Sequence, residues 1–335
     1  MTDVAPFAQA KEAHKEDILS RPNVVGVGVG YRETAGILTG DVAVIVLVER
    51  KVTPAALSTE ALVPREVGGL RTDVREVGEI RAQQSRTDRW RPAPGGTSIG
   101  HYRISAGTFG CVVRDRATGA RLILSNNHVL ANSNDAAPGD PIIQPGGADG
   151  GVEPQDVIAR LERFIPINYN TAPGTCGVAA VVSHLANAVA ILLGSQHRLQ
   201  PYQLDQQASN LVDAAVARPL DDASILDEIL EIGEPAGTTD AALGMPVRKS
   251  GRTTGFTTGA ITVVDATVSV SYGLGRTARF ENQIITGPMS QGGDSGSLLV
   301  AGDTQEAVGL LFAGSEQTTI HSPIGLVLDY LEVDL

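Results

Sequence analysis

Six consecutive residues, Gly292-Gly293-Asp294-Ser295-Gly296-Ser297, place a hydroxyl among glycines, between residues 282–286, which read as a strand, and the apolar run 298–300. A serine hydroxyl is a poor nucleophile at neutral pH; it needs a base to take its proton and donors to hold the oxyanion that forms. Glycines beside Ser295 let the backbone turn sharply and bring the Gly293 and Ser295 N–H groups to one point. The stretch holds no base of its own.

Two distant stretches carry groups that could complete it. His128 follows the apolar residues 121–125 through Asn126-Asn127, a position where loop residues are held rigidly yet stay partly exposed. Asp213 sits in the apolar, strand-like run Leu211-Val212-Asp213-Ala214-Ala215-Val216. An unpaired charge there is costly, so Asp213 calls for a hydrogen-bonding partner such as an imidazole. Histidine, aspartate and serine thus occur in that order, each at the edge of a β segment.

With these residues in view, the chain resembles the chymotrypsin-fold, trypsin-like serine proteases over roughly residues 105–332. Asn126-Asn127-His128-Val129, an inserted helix before the aspartate and an N-terminal extension are most similar to the branch containing the plant NARROW LEAF protease and its bacterial relatives. The resemblance implies a mainly β fold: a trypsin-like double β-barrel with a C-terminal helix. It also implies His128 as general base, Asp213 as its orienter, Ser295 as nucleophile and the Gly293 and Ser295 amides as oxyanion hole. Met289, six positions before Ser295, would lie at the base of the primary specificity pocket, with Phe312, Ala313 and Gly314 along its wall. The wall strand, residues 309–314, carries no acid, so the expected cleavage follows apolar, small to medium residues. The substrate class is a protein or peptide, and no metal or organic cofactor is implied.

The sequence also departs from the familiar secreted members. Val129, Leu130 and Ala131 follow His128 where those enzymes usually carry a cysteine, so Cys111 lacks the customary partner. Ser297 replaces the last glycine of the usual motif. No Ile-Val-Gly-Gly start precedes Gly107, so the new N-terminal ammonium that switches on zymogens is not expected at Asp294, whose actual partner the sequence does not reveal.

The elements around these residues set further bounds. At 335 residues, 42% hydrophobic and 19% charged, the chain can bury two or three cores. Its net charge of −12 disfavours nucleic acid and anionic membranes as partners, since both present negative surfaces. A homo-oligomer stays open. Two cysteines, Cys111 and Cys176, exclude a disulfide-rich scaffold and favour free thiols. The first residues lack a basic stretch followed by an apolar one, so the expected location is cytoplasmic.

Residues 1–80 read as a small α+β domain: a polar helix over 6–20, a glycine-alternating strand over 24–30, a β-branched strand over 42–48, a helix from Thr53 to about Leu62 and a strand over 70–77. Gly26-Val27-Gly28 opens like a dinucleotide fingerprint, but Tyr31 occupies its third glycine position, so a plain strand is expected. Residues 81–104, rich in Pro and Gly, read as a linker that Trp90 staples to a domain surface, and residues 105–335 as the protease-like domain. Within it, strands are expected over 108–114, 121–125, 156–165, 211–218, 260–270, 282–286 and 306–313. Val178, Val181, Val182, Leu185, Val189, Leu192 and Leu193 follow helical spacing and give an inserted amphipathic helix. The oxygen-rich loop 132–151 matches no calcium-binding spacing, the acids from Asp221 to Glu231 read as a solvated segment, and Arg248, Lys249 and Arg252 read as barrel-turn residues. Ser322-Pro323 should open a terminal helix burying Ile324, Val327, Leu328 and Leu331. A second function class is retained: a protease-fold scaffold or binding protein whose triad is idle.

Overall fold

The computed structural model describes residues 3–34, 36–53, 56–58, 60–78, 84–273 and 275–335. Backbone contacts divide the chain into two compact units, residues 1–84 and 85–335.

In the first unit, helix α1 (Ala5–Leu19) is followed by β1 (Val24–Thr34), β2 (Ile37–Val48), β3 (Glu66–Val67) and β4 (Leu70–Glu76). They form one sheet of order β1-β2-β4-β3. The β-branched run of β2 lies at its centre, pairing antiparallel with β1 and parallel with β4. Its Val44, Val46 and Val48 are buried with Ile18 of the helix and Val67. The glycine-alternating stretch is strand β1. The helix expected from Thr53 includes residues 54, 55 and 59, which lie outside the described residues.

The second unit opens with β5 (Ala93–Gly95), β6 (Ser98–His101), β7 (Gly107–Thr108), β8 (Cys111–Asp115) and β9 (Arg121–Ser125). Helix α2 (Asn127–Leu130), β10 (Pro141–Ile143), β11 (Val157–Phe164), β12 (Thr171–Pro173), helix α3 (Gly177–Leu192), β13 (Tyr202–Leu204), β14 (Ala215–Pro219) and β15 (Ile225–Ile229) follow. Next come β16 (Pro246–Gly251), β17 (Gly255–Ser271), β18 (Thr277–Thr286), β19 (Leu298–Ala301), β20 (Ala307–Gly314), β21 (Thr319–Pro323), helix α4 (Ile324–Leu331) and β22 (Val333–Asp334).

Pairing closes these strands into two barrels. In the first, β7 continues into β8 after a two-residue break, and the ring runs β6, β7/β8, β9, β14, β11, β10 and back to β6. In the second, the ring is β16, β17, β18, β21, β20, β19 and back to β16. If the strands of each ring are numbered in chain order, both barrels read first, second, third, sixth, fifth, fourth. The unit is a mainly β, chymotrypsin-like double barrel. Closure removes the open edges that a sheet of such short strands would expose.

Residues 85–104 are not linker. Ala93, Pro94 and Gly95 are buried in β5, which pairs parallel with β15, and β6 belongs to the first barrel. Gly95 is required by close approach, since a Cβ there would stand 2.6 Å from the Gly110 carbonyl oxygen. Trp90 packs on the first-barrel core, its indole N–H donating to the Ser85 carbonyl. Helix α4 buries Ile324, Val327, Leu328 and Leu331, but Ser322 and Pro323 end strand β21 instead of starting the helix. Helix α3 exists as expected, yet none of its side chains is buried. Among the described residues no helix is long and apolar enough to cross a membrane.

Candidate active site

Strand β9 ends at the buried Ser125, and Asn126, with extended backbone angles, turns the chain into α2. The Asn126 amide donates to the Asp213 main-chain carbonyl at 2.7 Å, tying the end of β9 to the residues before β14. Asn127 bonds the Ile165 carbonyl and exchanges hydrogen bonds with Asn134. The two asparagines therefore tether the backbone just before His128 to Asp213, to the end of β11 and to the loop after α2.

Asp213 lies two residues before β14 and is fully buried. Its Oδ2 receives His128 Nδ1 at 2.7 Å, and its Oδ1 receives the His128 main-chain N–H at 3.3 Å. With Nδ1 against an ionised carboxylate, the ring proton belongs on Nδ1 and the Nε2 lone pair faces outward. Tyr272, which sequence reasoning missed, donates its hydroxyl to the same Oδ2 at 2.7 Å. Burial and the negative charge of Asp213 push the Tyr272 hydroxyl well above its ordinary range, so it remains a donor.

The serine turn is held by its carbonyls. Gly292 O accepts from Thr253 Oγ1 at 2.8 Å, and Asp294 O accepts from Ser297 Oγ at 2.6 Å and Ser297 N at 3.0 Å. In a trans peptide the N–H points opposite to the carbonyl of the same plane, so these bonds aim the Gly293 and Ser295 N–H groups to the other side. Neither N–H finds an acceptor among the described residues. Gly293 has φ +98°, and a Cβ there would stand 2.5 Å from Arg252 Nη1 and Thr253 Oγ1, so only glycine fits.

Ser295 Oγ rests 3.5 Å from the Phe312 carbonyl oxygen and is not hydrogen-bonded to His128. The two regions nonetheless meet at Gly107, where a Cβ would lie 2.4 Å from Val129 Cγ2 and 3.1 Å from the Ser295 carbonyl oxygen.

Asp294 has a partner that the sequence did not reveal. Lys249, fully buried on β16, places Nζ 3.2 Å from Asp294 Oδ2. The same carboxylate accepts from the Thr253, Thr254 and Gln291 main-chain N–H groups and from Thr254 Oγ1. Burial alone would raise the Asp294 carboxyl, but the Thr254 hydroxyl, the Lys249 charge and the backbone donors together hold it below its usual range. Burial pulls the Lys249 ammonium down, with Asp294 opposing. In the sequence Lys249 was masked by its charged neighbours Arg248 and Arg252, whereas Asp213 stands alone in an apolar run.

Several of the other charged residues singled out in the sequence have side-chain partners. Arg252 forks onto Asp149, which also accepts from Ser98, and Arg248 donates to the Thr304 carbonyl. Asp227 pairs with Arg121 and Glu231 with Arg86, so the acidic segment is partly tied down. Among the described residues no three His, Cys, Asp or Glu side chains are grouped to hold a metal. Cys111, buried, and Cys176, exposed, are both free.

A cleft of about 670 Å³ opens beside Ser295, with Met289, Leu311, Ala313 and Gly314 among its walls and Glu316 at its exposed rim. Phe312 is not among its walls: the pairing of β20 with β21 shifts register between Leu311 and Ala313, and Phe312 packs in a buried cluster with Phe280 and Ile167. Its ring lies against Phe280 at 4.7 Å between centroids, tilted by 44°, and lines a second cleft of about 620 Å³ shared with His128 and Tyr272, which Ala313 and Gly314 border as well.

No family model matches the chain, and no curated protein does. Among solved structures the chain is similar to a Nocardiopsis protease, at 18% identity and a TM-score of 0.45, covering 72% of this chain and 99% of that one. It is similar to a glutamic acid-specific serine protease at 22% identity and 0.46, covering 72% and 100%. Protease A of Thermobifida fusca aligns at 16% and 0.45, covering 72% and 98%.

Proposed function

We propose that the chain is a serine endopeptidase working through an acyl-enzyme, with Ser295 as nucleophile, His128 as general base and Asp213 as its orienter. The observation that carries this is the 2.7 Å bond from His128 Nδ1 to the buried Asp213, which leaves Nε2 free to take a proton. A side-chain rotation moves Ser295 Oγ from the Phe312 carbonyl toward that nitrogen when a peptide enters. Oγ then attacks the scissile carbonyl carbon as its proton passes to Nε2, and the imidazolium is stabilised by Asp213. The oxyanion is received by the Gly293 and Ser295 N–H groups, which the turn leaves unpaired. Collapse expels the amine, which takes the proton from Nε2; water repeats the sequence in reverse to free the acid.

In this reading the Lys249 ammonium does at Asp294 what a newly cut N-terminus does in zymogen-derived relatives, so the donor pair is built without cleavage of the chain. Met289 and Ala313, with no acid but the solvated Glu316, favour substrates with apolar, small to medium residues before the cut bond. The finer likeness to the NARROW LEAF branch belongs to the same reading.

Labelling by a fluorophosphonate probe tests it. The wild type is expected to label and Ser295→Ala not to. An unlabelled wild type would favour the scaffold reading, in which the residues are present but idle.

A further inference from the structure

We infer that Tyr272 is a positioning residue of this site: its hydroxyl fixes the Asp213 carboxylate in the orientation that lets Oδ2 receive the His128 imidazole N–H. This deepens the endopeptidase reading and rests on it for its catalytic consequence.

Among the described residues the Asp213 carboxylate accepts three hydrogen bonds, two of them from His128 itself, through Nδ1 at 2.7 Å and the main-chain N–H at 3.3 Å. Among the described residues only the Tyr272 hydroxyl, at 2.7 Å from Oδ2, reaches the carboxylate from another element. Without it nothing independent of His128 would set the rotation of the acid that must in turn orient the imidazole. The ring stands edge-on to His128 at 5.9 Å between centroids, so it also walls the imidazole on one side.

The fold goes to some length to deliver this side chain. Tyr272 directly follows β17, at the tip of the hairpin that β17 and β18 make in the second barrel, and reaches the acid that precedes the last strand of the first. The tip is anchored. Arg276 pairs with Asp135 at 3.0 Å and lies over the Tyr169 ring, whose edge packs on Tyr272 at 5.8 Å. Tyr169 in turn donates to the Ser133 carbonyl, in the loop after His128. The insertion that carries α3 adds β12 alongside the hairpin, pairing Thr171 with Thr277, and Tyr202 packs so close to Gly275 that a Cβ there would meet its ring at 2.5 Å.

Tyr272→Phe separates the hydroxyl from the ring, since phenylalanine keeps the aromatic contacts. For peptide hydrolysis, kcat is expected to fall about ten- to a hundredfold, the factor that one hydrogen bond to a buried charge is worth, with KM little changed. The pH at which His128 titrates, followed by NMR of its ring, should rise. A carboxylate relieved of one donor concentrates more charge on the imidazolium. The other ionisable groups facing the site are Tyr169, Arg276 and Asp135, all unaltered by the change. If Tyr272→Phe matches the wild type in kcat, pH profile and imidazole titration while both hydrolyse peptide, the inference is wrong and the endopeptidase reading stands. If the imidazole titration moves in Tyr272→Phe but neither protein labels or cleaves, the positioning role holds and the endopeptidase reading fails.

Discussion

Two regions of the second unit depart from the inside-apolar pattern in opposite directions. Along the seam between the barrels and into the second barrel, Asp213, Lys249, Asp294 and His321 are fully buried, charged or ionisable side chains. On helix α3, Val178, Leu185 and Leu192 are all more than half exposed, and none of its side chains is buried. A buried polar group and an exposed apolar one are the two informative exceptions to ordinary burial. At the seam Asp213, Lys249 and Asp294 have each been given partners, and what that secures is orientation, whereas His321 meets Thr286 through Nε2 and its buried Nδ1 has no hydrogen-bond partner among the described residues. Helical spacing in α3, by contrast, announced a helix and said nothing about whether anything would cover it.

The largest expected effect breaks the seam chemically. Ser295→Ala or His128→Ala should lower kcat on a peptide substrate by about a millionfold, as expected when one member of a group acting as a unit is lost. A reduction of less than tenfold in either variant would remove that residue from the mechanism.

Next comes the ion pair beneath the turn. Lys249→Met leaves Asp294 buried without its cation, and urea unfolding should show a loss of about 3–5 kcal/mol together with slower fluorophosphonate labelling. Adding Asp294→Asn to that variant should recover part of the stability, because the lone charge is gone. Equal stability of Lys249→Met and the wild type would mean that the pair contributes nothing.

His321 offers a smaller, pH-dependent test. Burial, aided by the nearby Lys249 charge, lowers its imidazole from 6.5 to about 3. Unfolding lets it take a proton below 6.5, while the folded protein resists until about 3. The stability it supports is therefore present above 6.5 and is lost as pH falls through that window. In His321→Gln this part of the pH slope should disappear from urea midpoints measured between pH 4 and 7. An unchanged slope would contradict the buried, neutral imidazole.

The smallest effect belongs to α3. Leu192→Ser should change stability by less than about 0.5 kcal/mol, as for an exposed site, whereas Leu299→Ala in the second-barrel core should cost about 2–5 kcal/mol. Comparable losses would show that α3 is covered after all.

Much of this contrast was legible in the sequence wherever a signal was local. Ser295 between glycines, His128 at a strand end and Asp213 within an apolar run each announced themselves within about ten residues. Tyr272 did not, because an aromatic residue in a hairpin tip becomes meaningful only once the hairpin reaches Asp213 from the other barrel. Short strands hid as well: Ser98–His101 and Pro141–Ile143 are four and three residues long, too brief for an alternating pattern. Pro94 and Gly95 read as linker because the same residues serve turns and tight backbone contacts. Phe312 was assigned to a pocket wall by position, and only the observed strand showed which way it faces.

The central claim is that Ser295 becomes acylated with help from His128 and Asp213. Mixing the protein with an activated ester, quenching in acid and mapping the adduct by peptide mass spectrometry tests it directly. The account predicts one acyl group, on Ser295, absent from Ser295→Ala and accumulating far more slowly in His128→Ala. An adduct on another residue, or none from a folded wild-type protein, would contradict it.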